Sequence, residues 1–140
     1  DEKLIDHAIK VTGLEEFRNR ELSQLSGGQR QRVFIAMALA QNTKILFLDE
    51  PTTYLDIRYQ LDILRLVRKL NKEYGITIVM VLHEINQAVH FSDEVIGLKD
   101  GKVLVQGDPN EVITTESISE LYDVRLNVAE INGQKFVLTV

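Results

Sequence analysis

Two nearly uninterrupted apolar runs, Ile45 to Leu48 and Ile76 to Leu82, are too short for helices and are separated by a stretch with the spacing of one long helix. Asp56 is a good N-cap for that helix, Ile57, Leu61, Leu64 and Val67 recur at intervals of three and four, and Gly75 ends it. Strand, helix, strand in this order is a βαβ unit. Its strands run parallel, and their uniformly apolar character predicts burial on both faces. The C-terminal ends of both strands then lie on one edge of the sheet, where open α/β sheets bind ligands. Asp49-Glu50-Pro51 follows the first run directly, and His83 follows the second.

The rest of the chain fits around that unit. Leu4, Ile5, Ala8, Ile9 and Val11 predict a short lead-in helix stopped by Gly13. Ser26 to Gln41 reads as a second helix, apolar all round from Val33 to Ala40 and therefore expected to be buried. Glu84 to Phe91 reads as a helix, and Pro109 to Tyr122 as two short helical turns. Val95 to Lys99 with Lys102 to Gln106 form a hairpin about Asp100-Gly101. Leu126 to Ile131 with Gln134 to Val140 form another about Asn132-Gly133, a pair that favours a type I′ turn.

Composition narrows the function. The chain has 140 residues, enough for one substantial core, and 16 basic against 21 acidic residues give a net charge of −5. Sequence-independent nucleic-acid binding needs a broad basic field, which this balance argues against. The chain contains no cysteine, so disulfide, thiolate-metal and cysteine-nucleophile chemistry are excluded. The longest apolar stretch, Val33 to Ala40, is far short of the roughly 20 residues that cross a bilayer, so any membrane role is expected to be peripheral.

Leu25-Ser26-Gly27-Gly28-Gln29 is the strongest local signal. Ser26 with Gln29 three residues on is a capping box, but capping requires neither glycine. Each glycine in a first turn costs about 1 kcal/mol relative to alanine. Bare backbone N–H groups at a helix N-terminus, by contrast, let an anion approach closely, which predicts phosphate binding by Ser26, Gly27, Gly28 and Gln29. At the tip of the first strand, Asp49 is suited to holding Mg²⁺ and Glu50 to polarising a water. His83 is the third polar residue expected at that edge, a neighbour of Glu50. His7 and His90 are read as solvated or packing residues.

Together and in this order, these pieces resemble the ATPase subunit of ATP-binding cassette transporters. Leu25 to Gln29 matches the family's LSGGQ signature without a mismatch, and Ile45 to Glu50 matches its Walker B strand. Thr52-Thr53-Tyr54-Leu55-Asp56 looks like its D-loop, and His83 like its switch histidine. The resemblance implies an α/β fold, the C-terminal half of a P-loop, RecA-like cassette. Residues 1–41 would end the helical subdomain, 42–99 would run from Walker B to the switch histidine, and 100–140 would hold hairpins and short helices. The Walker A half is absent: Gly97 to Val103 has three residues between its glycines instead of four and no Ser or Thr after the lysine. The chain begins at Asp1, and a longer natural chain is expected.

The D-loop sequence, Leu82-His83-Glu84-Ile85-Asn86-Gln87-Ala88, and the later Gly101-Lys102-Val103 and Gln106-Gly107 look like the ATPases of iron-siderophore, haem and cobalamin importers. Glu84 departs from the usual Asp after the switch histidine, and Tyr59 from a His common after the D-loop. What the resemblance implies is a head-to-tail dimer hydrolysing ATP with Mg²⁺, peripheral to the cytoplasmic face of the plasma membrane. It would be seated on permease subunits and served indirectly by a substrate-binding protein. Glu50 would be the general base, His83 would bind the γ-phosphate, and Asp49 would hold Mg²⁺ through water. Ser26 to Gln29 would complete the phosphate cage in trans, and Asp56 would be the D-loop contact. This chain alone is expected to be inactive and to self-associate. Soluble cassette ATPases of chromosome maintenance or ribosome rescue are the alternative. They act on nucleic acid, and the net charge and the lack of coiled-coil heptads or a basic patch argue against them.

Overall fold

A computed structural model describes residues 1–139. The chain divides into two compact units, Asp1–Val81 and Leu82–Val140; Val140, the end of the last predicted hairpin, lies outside the described residues.

The first unit opens with α1 (Glu2–Val11), capped by the Asp1 carboxylate, which accepts from the Lys3 N–H. Two short 3-10 turns, Glu15–Phe17 and Leu22–Gln24, lead to α2 (Gly27–Ala40). Then come β1 (Ile45–Asp49), α3 (Ile57–Tyr74) and β2 (Thr77–Val81). β1 and β2 are parallel, with Ile45 opposite Thr77 and Asp49 opposite Val81, as the βαβ reading requires. Gly75 closes α3 in the left-handed conformation, φ 66°, which costs glycine nothing. Ile35, Leu46, Ile63, Val67 and Leu70 form the main core, and Ala8, Leu14 and Ala36 seal α1 onto α2.

Two expectations about this unit fail. α2 is not buried all round: Ile35 and Ala36 are, but Phe34 is 54% exposed and Met37 57%. At 100° per residue only one stripe can face α1 and the core, and Phe34 and Met37, three apart, share another side. Nor are the strands buried on both faces. Leu46, Leu48, Ile78 and Met80 pack into the core, whereas Ile45, Val79, Val81 and Phe47, which is 73% exposed, face away. Side chains alternate across a strand, and within this unit a helical layer covers one face only. Ile45 and Phe47 join Phe34, Met37 and Ala38 around a groove of about 350 Å³.

The second unit starts with α4 (Ile85–Phe91), followed by the hairpin β3 (Val95–Lys99) and β4 (Lys102–Gly107). Next come the short helices α5 (Pro109–Val112) and α6 (Thr115–Tyr122), then the hairpin β5 (Asn127–Ile131) and β6 (Gln134–Leu138). Both hairpin turns are as expected: Asp100-Gly101 has φ 51° and 75°, and Asn132-Gly133 has φ 52° and 78°, two positive angles in a row as type I′ demands. Val89, Ile113, Ile118 and Val137 are the core here.

Candidate functional site

Ser26 stands at the N-cap of α2 in extended conformation. Its hydroxyl accepts from the Gln29 N–H at 3.2 Å, and the Gln29 side chain accepts from the Ser26 N–H at 3.0 Å, so the capping box is complete. Arg30, one turn along, donates to the carbonyls of Leu22 and Ser23, both at 3.2 Å, and ties the incoming 3-10 turn to the helix. The glycines have a second reason that sequence reasoning missed. A Cβ on Gly28 would stand 3.2 Å from Cδ1 of Tyr59, and one on Gly27 would stand 3.2 Å from Cδ2 of Leu55. The helix start is therefore packed against the segment that begins α3, and a methyl group at either position would force that segment to give. Tyr59, the residue that departs from the importer pattern, is what covers Gly28.

The two carboxylates leave β1 in different settings. Asp49 is the last strand residue and is exposed. Glu50 turns into the left-handed region at φ 52°, a conformation that costs a non-glycine residue about 1–2 kcal/mol. Its N–H donates to the Val81 carbonyl at 2.9 Å, so the end of β2 holds it, and Pro51 and Thr52 behind it are buried. Thr53 Oγ1 lies 3.5 Å from Glu50 Oε2. Tyr54 has φ 65° and is wholly exposed. Two left-handed residues within one loop, braced by buried neighbours, are the kind of stored strain that functional loops carry.

Asp56 occupies the expected N-cap position of α3, but its side chain makes no capping bond. Its carboxylate is exposed, where hydration offsets what a cap would contribute, and Gln60 instead steadies the turn by donating to the Leu55 carbonyl at 2.7 Å. The structure thus brings Ser26 to Gln29, Leu55 and Tyr59 together in the first unit. His83 is exposed and belongs to the second unit, just ahead of the Glu84 N-cap of α4. Of the histidines read as packing residues, His90 stacks edge-on against Phe136 with ring centroids 4.4 Å apart, and His7 meets Tyr74 at 5.5 Å.

Among the described residues no three His, Asp or Glu side chains gather as a metal cage. A site with only one or two carboxylates at a strand tip suits a cation that keeps most of its waters, as Mg²⁺ does. No helix among them is long and apolar enough to cross a membrane.

The carboxylates thus stand at the C-terminal tip of a parallel strand pair, the edge at which open α/β sheets bind ligands. Residues 1–53 match the family model described as ABC transporter. The iron(3+)-hydroxamate import ATP-binding protein FhuC of Bacillus subtilis (strain 168) is 50% identical over 124 residues, 89% of this chain and 46% of that protein. An ABC transporter described as of metal-chelate type, solved in an inward-facing conformation, superposes with a TM-score of 0.86 at 29% identity over 96% of this chain and 54% of that one. The ATP-binding cassette MJ0796, in a dimeric post-hydrolysis state bound to ADP and Pi, gives 0.62 at 45% identity over 74% of this chain and 44% of that one. Over the part it covers, the chain is similar to the ATP-binding proteins of ABC transporters, those of metal-chelate importers among them. It spans about half the length of the curated relatives it matches.

Proposed function

We propose that this chain supplies, to its whole protein, the signature and hydrolytic half of a transport-coupled ATP hydrolase that powers import of an iron-siderophore or a related metal chelate. The observation that carries this is the tip of β1, where Glu50 is held in a strained turn by Val81 and Pro51 while Asp49 stays open to solvent. A general base needs a fixed placement, and the braced turn at Glu50 supports that role for it. Asp49 would hold Mg²⁺ through water, and the ion would supply neutralising charge at the phosphates. The first-turn N–H groups of Gly27 and Gly28 lie outside the helix ladder and, with the Ser26 end of the α2 dipole, suit a phosphate presented by another subunit. His83, in the second unit, would bind the γ-phosphate, and the uncapped carboxylate of Asp56 is left available to a partner subunit.

The partners in this reading are a second ATPase subunit in head-to-tail arrangement, with ATP and Mg²⁺ between the two, and membrane permease subunits served by a substrate-binding protein. The place of action is the cytoplasmic face of the plasma membrane, peripherally, without nucleic acid. The dimeric ADP-bound relative and the iron-chelate names of the relatives support it. Glu50→Gln in the complete cassette tests it. Turnover should fall by about 10²–10⁴ with nucleotide binding intact. Near-normal turnover would remove Glu50 as base and make His83 the next candidate. The 140-residue chain by itself should not bind Mg-ATP tightly, because a helix N-terminus contributes only about 0.3–1 kcal/mol; submicromolar affinity in a calorimetric titration would overturn the division of labour.

A further inference from the structure

The two-residue turn at Asn132-Gly133 closes on the pair Ile131–Gln134, so alternate residues of β6 bond to β5, and Lys135 and Val137 turn their backbone groups outward. That outer edge is not left open. Asn86 on α4 donates from Nδ2 to the Val137 carbonyl at 3.0 Å and accepts at Oδ1 from the Val137 N–H at 2.8 Å. One side-chain amide thus does what a further strand would do. His90, one turn along the same face, places Nε2 2.8 Å from the Lys135 carbonyl. Residues 86 and 90 of the helix match residues 137 and 135 of the strand.

The same helix begins at the switch segment. Glu84 caps it with both carboxylate oxygens, accepting from the N–H of Asn86 at 3.1 Å and of Gln87 at 2.8 Å, and His83 is the residue before that cap. We propose that Asn86 is a positioning residue, which fixes the start of α4, and with it the backbone at His83, to the C-terminal hairpin β5–β6. The catalytic consequence rests on the reading of His83 as a phosphate ligand; the mechanical link does not.

Amide hydrogen exchange on the 140-residue chain, read by NMR, tests the link directly. Asn86→Ala should speed exchange at Val137 by about tenfold, the loss of one partly buried hydrogen bond, and should also shift and deprotect the amides of His83 to Ala88. Asn86→Asp keeps the acceptor for the Val137 N–H but no donor for its carbonyl; it should preserve Val137 protection better while still loosening His83 to Ala88, and it serves if the alanine variant unfolds. Thr115→Ala, which frees the Val128 N–H on the opposite edge of the hairpin, should leave His83 to Ala88 unchanged. The proposal fails if Asn86→Ala deprotects Val137 alone, or if Thr115→Ala disturbs the switch segment equally. In the complete cassette, Asn86→Ala should lower kcat with KM for ATP unchanged. Should the exchange result hold while kcat does not change, the link stands and the role given to His83 falls.

Discussion

The parallel pair β1–β2 and the hairpin β5–β6 are both two strands wide, yet they treat their margins in opposite ways. Both outer edges of β5–β6 are met by polar side chains at helical spacing. Asn86 and His90 of α4 serve β6, while Thr115 Oγ1 accepts from the Val128 N–H and Ser119 Oγ bonds both backbone groups of Leu126 beside β5. Among the described residues no strand pairs with the outer edges of β1 or β2, and one face of that pair carries Phe47 and Val81 into solvent. A finished edge makes a unit self-sufficient, whereas an unfinished edge with an apolar face is built to receive more protein. The β5–β6 hairpin is closed by residues of its own unit, and among the described residues the β1–β2 pair is not.

If the difference lies in the margins and not in the cores, truncating either core should hurt most and about equally. Leu64→Ala in the first unit and Ile118→Ala in the second, both fully buried, should each cost about 2–5 kcal/mol in urea unfolding. A loss below about 1 kcal/mol at either site would break the comparison at its base.

Removing an edge partner should come next in size. Ser119→Ala leaves the partly buried N–H of Leu126 without its 3.0 Å acceptor and should cost about 1–2 kcal/mol, read from the same unfolding curves. No change would mean that water replaces the hydroxyl at no cost.

At the open margin the expected effect on stability is smaller still. Val79→Lys, on the uncovered face of β2, should change stability by no more than about 0.5 kcal/mol and shift light scattering coupled to size-exclusion chromatography toward a monomer. A native chain already monomeric at high concentration would show that the first unit closes its own margin.

The smallest effect is alkaline. Burial, then the charge of Glu84, raises the pKa of Tyr122, and the hydrogen bond to Asp123 raises that of Lys99 against the opposing effect of desolvation. Both groups hold their protons more tightly folded than unfolded, so the contribution to stability is full below pH about 10 and is lost as pH rises through the folded values. Stability that rises above pH 10, followed by Tyr122 signals in NMR, would contradict the sign.

Much of the molecule is local enough for a sequence to hold. The βαβ order, the two hairpins, the type I′ turn at Asn132-Gly133 and the capping box follow from residue spacing and from backbone preferences of Asn, Asp and Gly. The tip carboxylates follow from where an apolar run stops. The LSGGQ motif and its companions were legible as a family resemblance, and the relatives bear that out.

What sequence could not fix was which apolar residues would find cover. Phe34, Met37, Ile45 and Phe47 carry the same hydrophobicity as Ile35 and Leu46, and only the placement of α1 and α3 decides which are buried, since burial depends on what stands opposite and not on the side chain itself. The glycines show the same limit. Their presence was readable, but their packing against Leu55 and Tyr59, some 28 to 31 positions along the chain, required the fold. Asn86 and Val137, 51 residues apart, are the extreme case, because a single amide can replace a strand only once tertiary structure has brought a helix face to a strand edge.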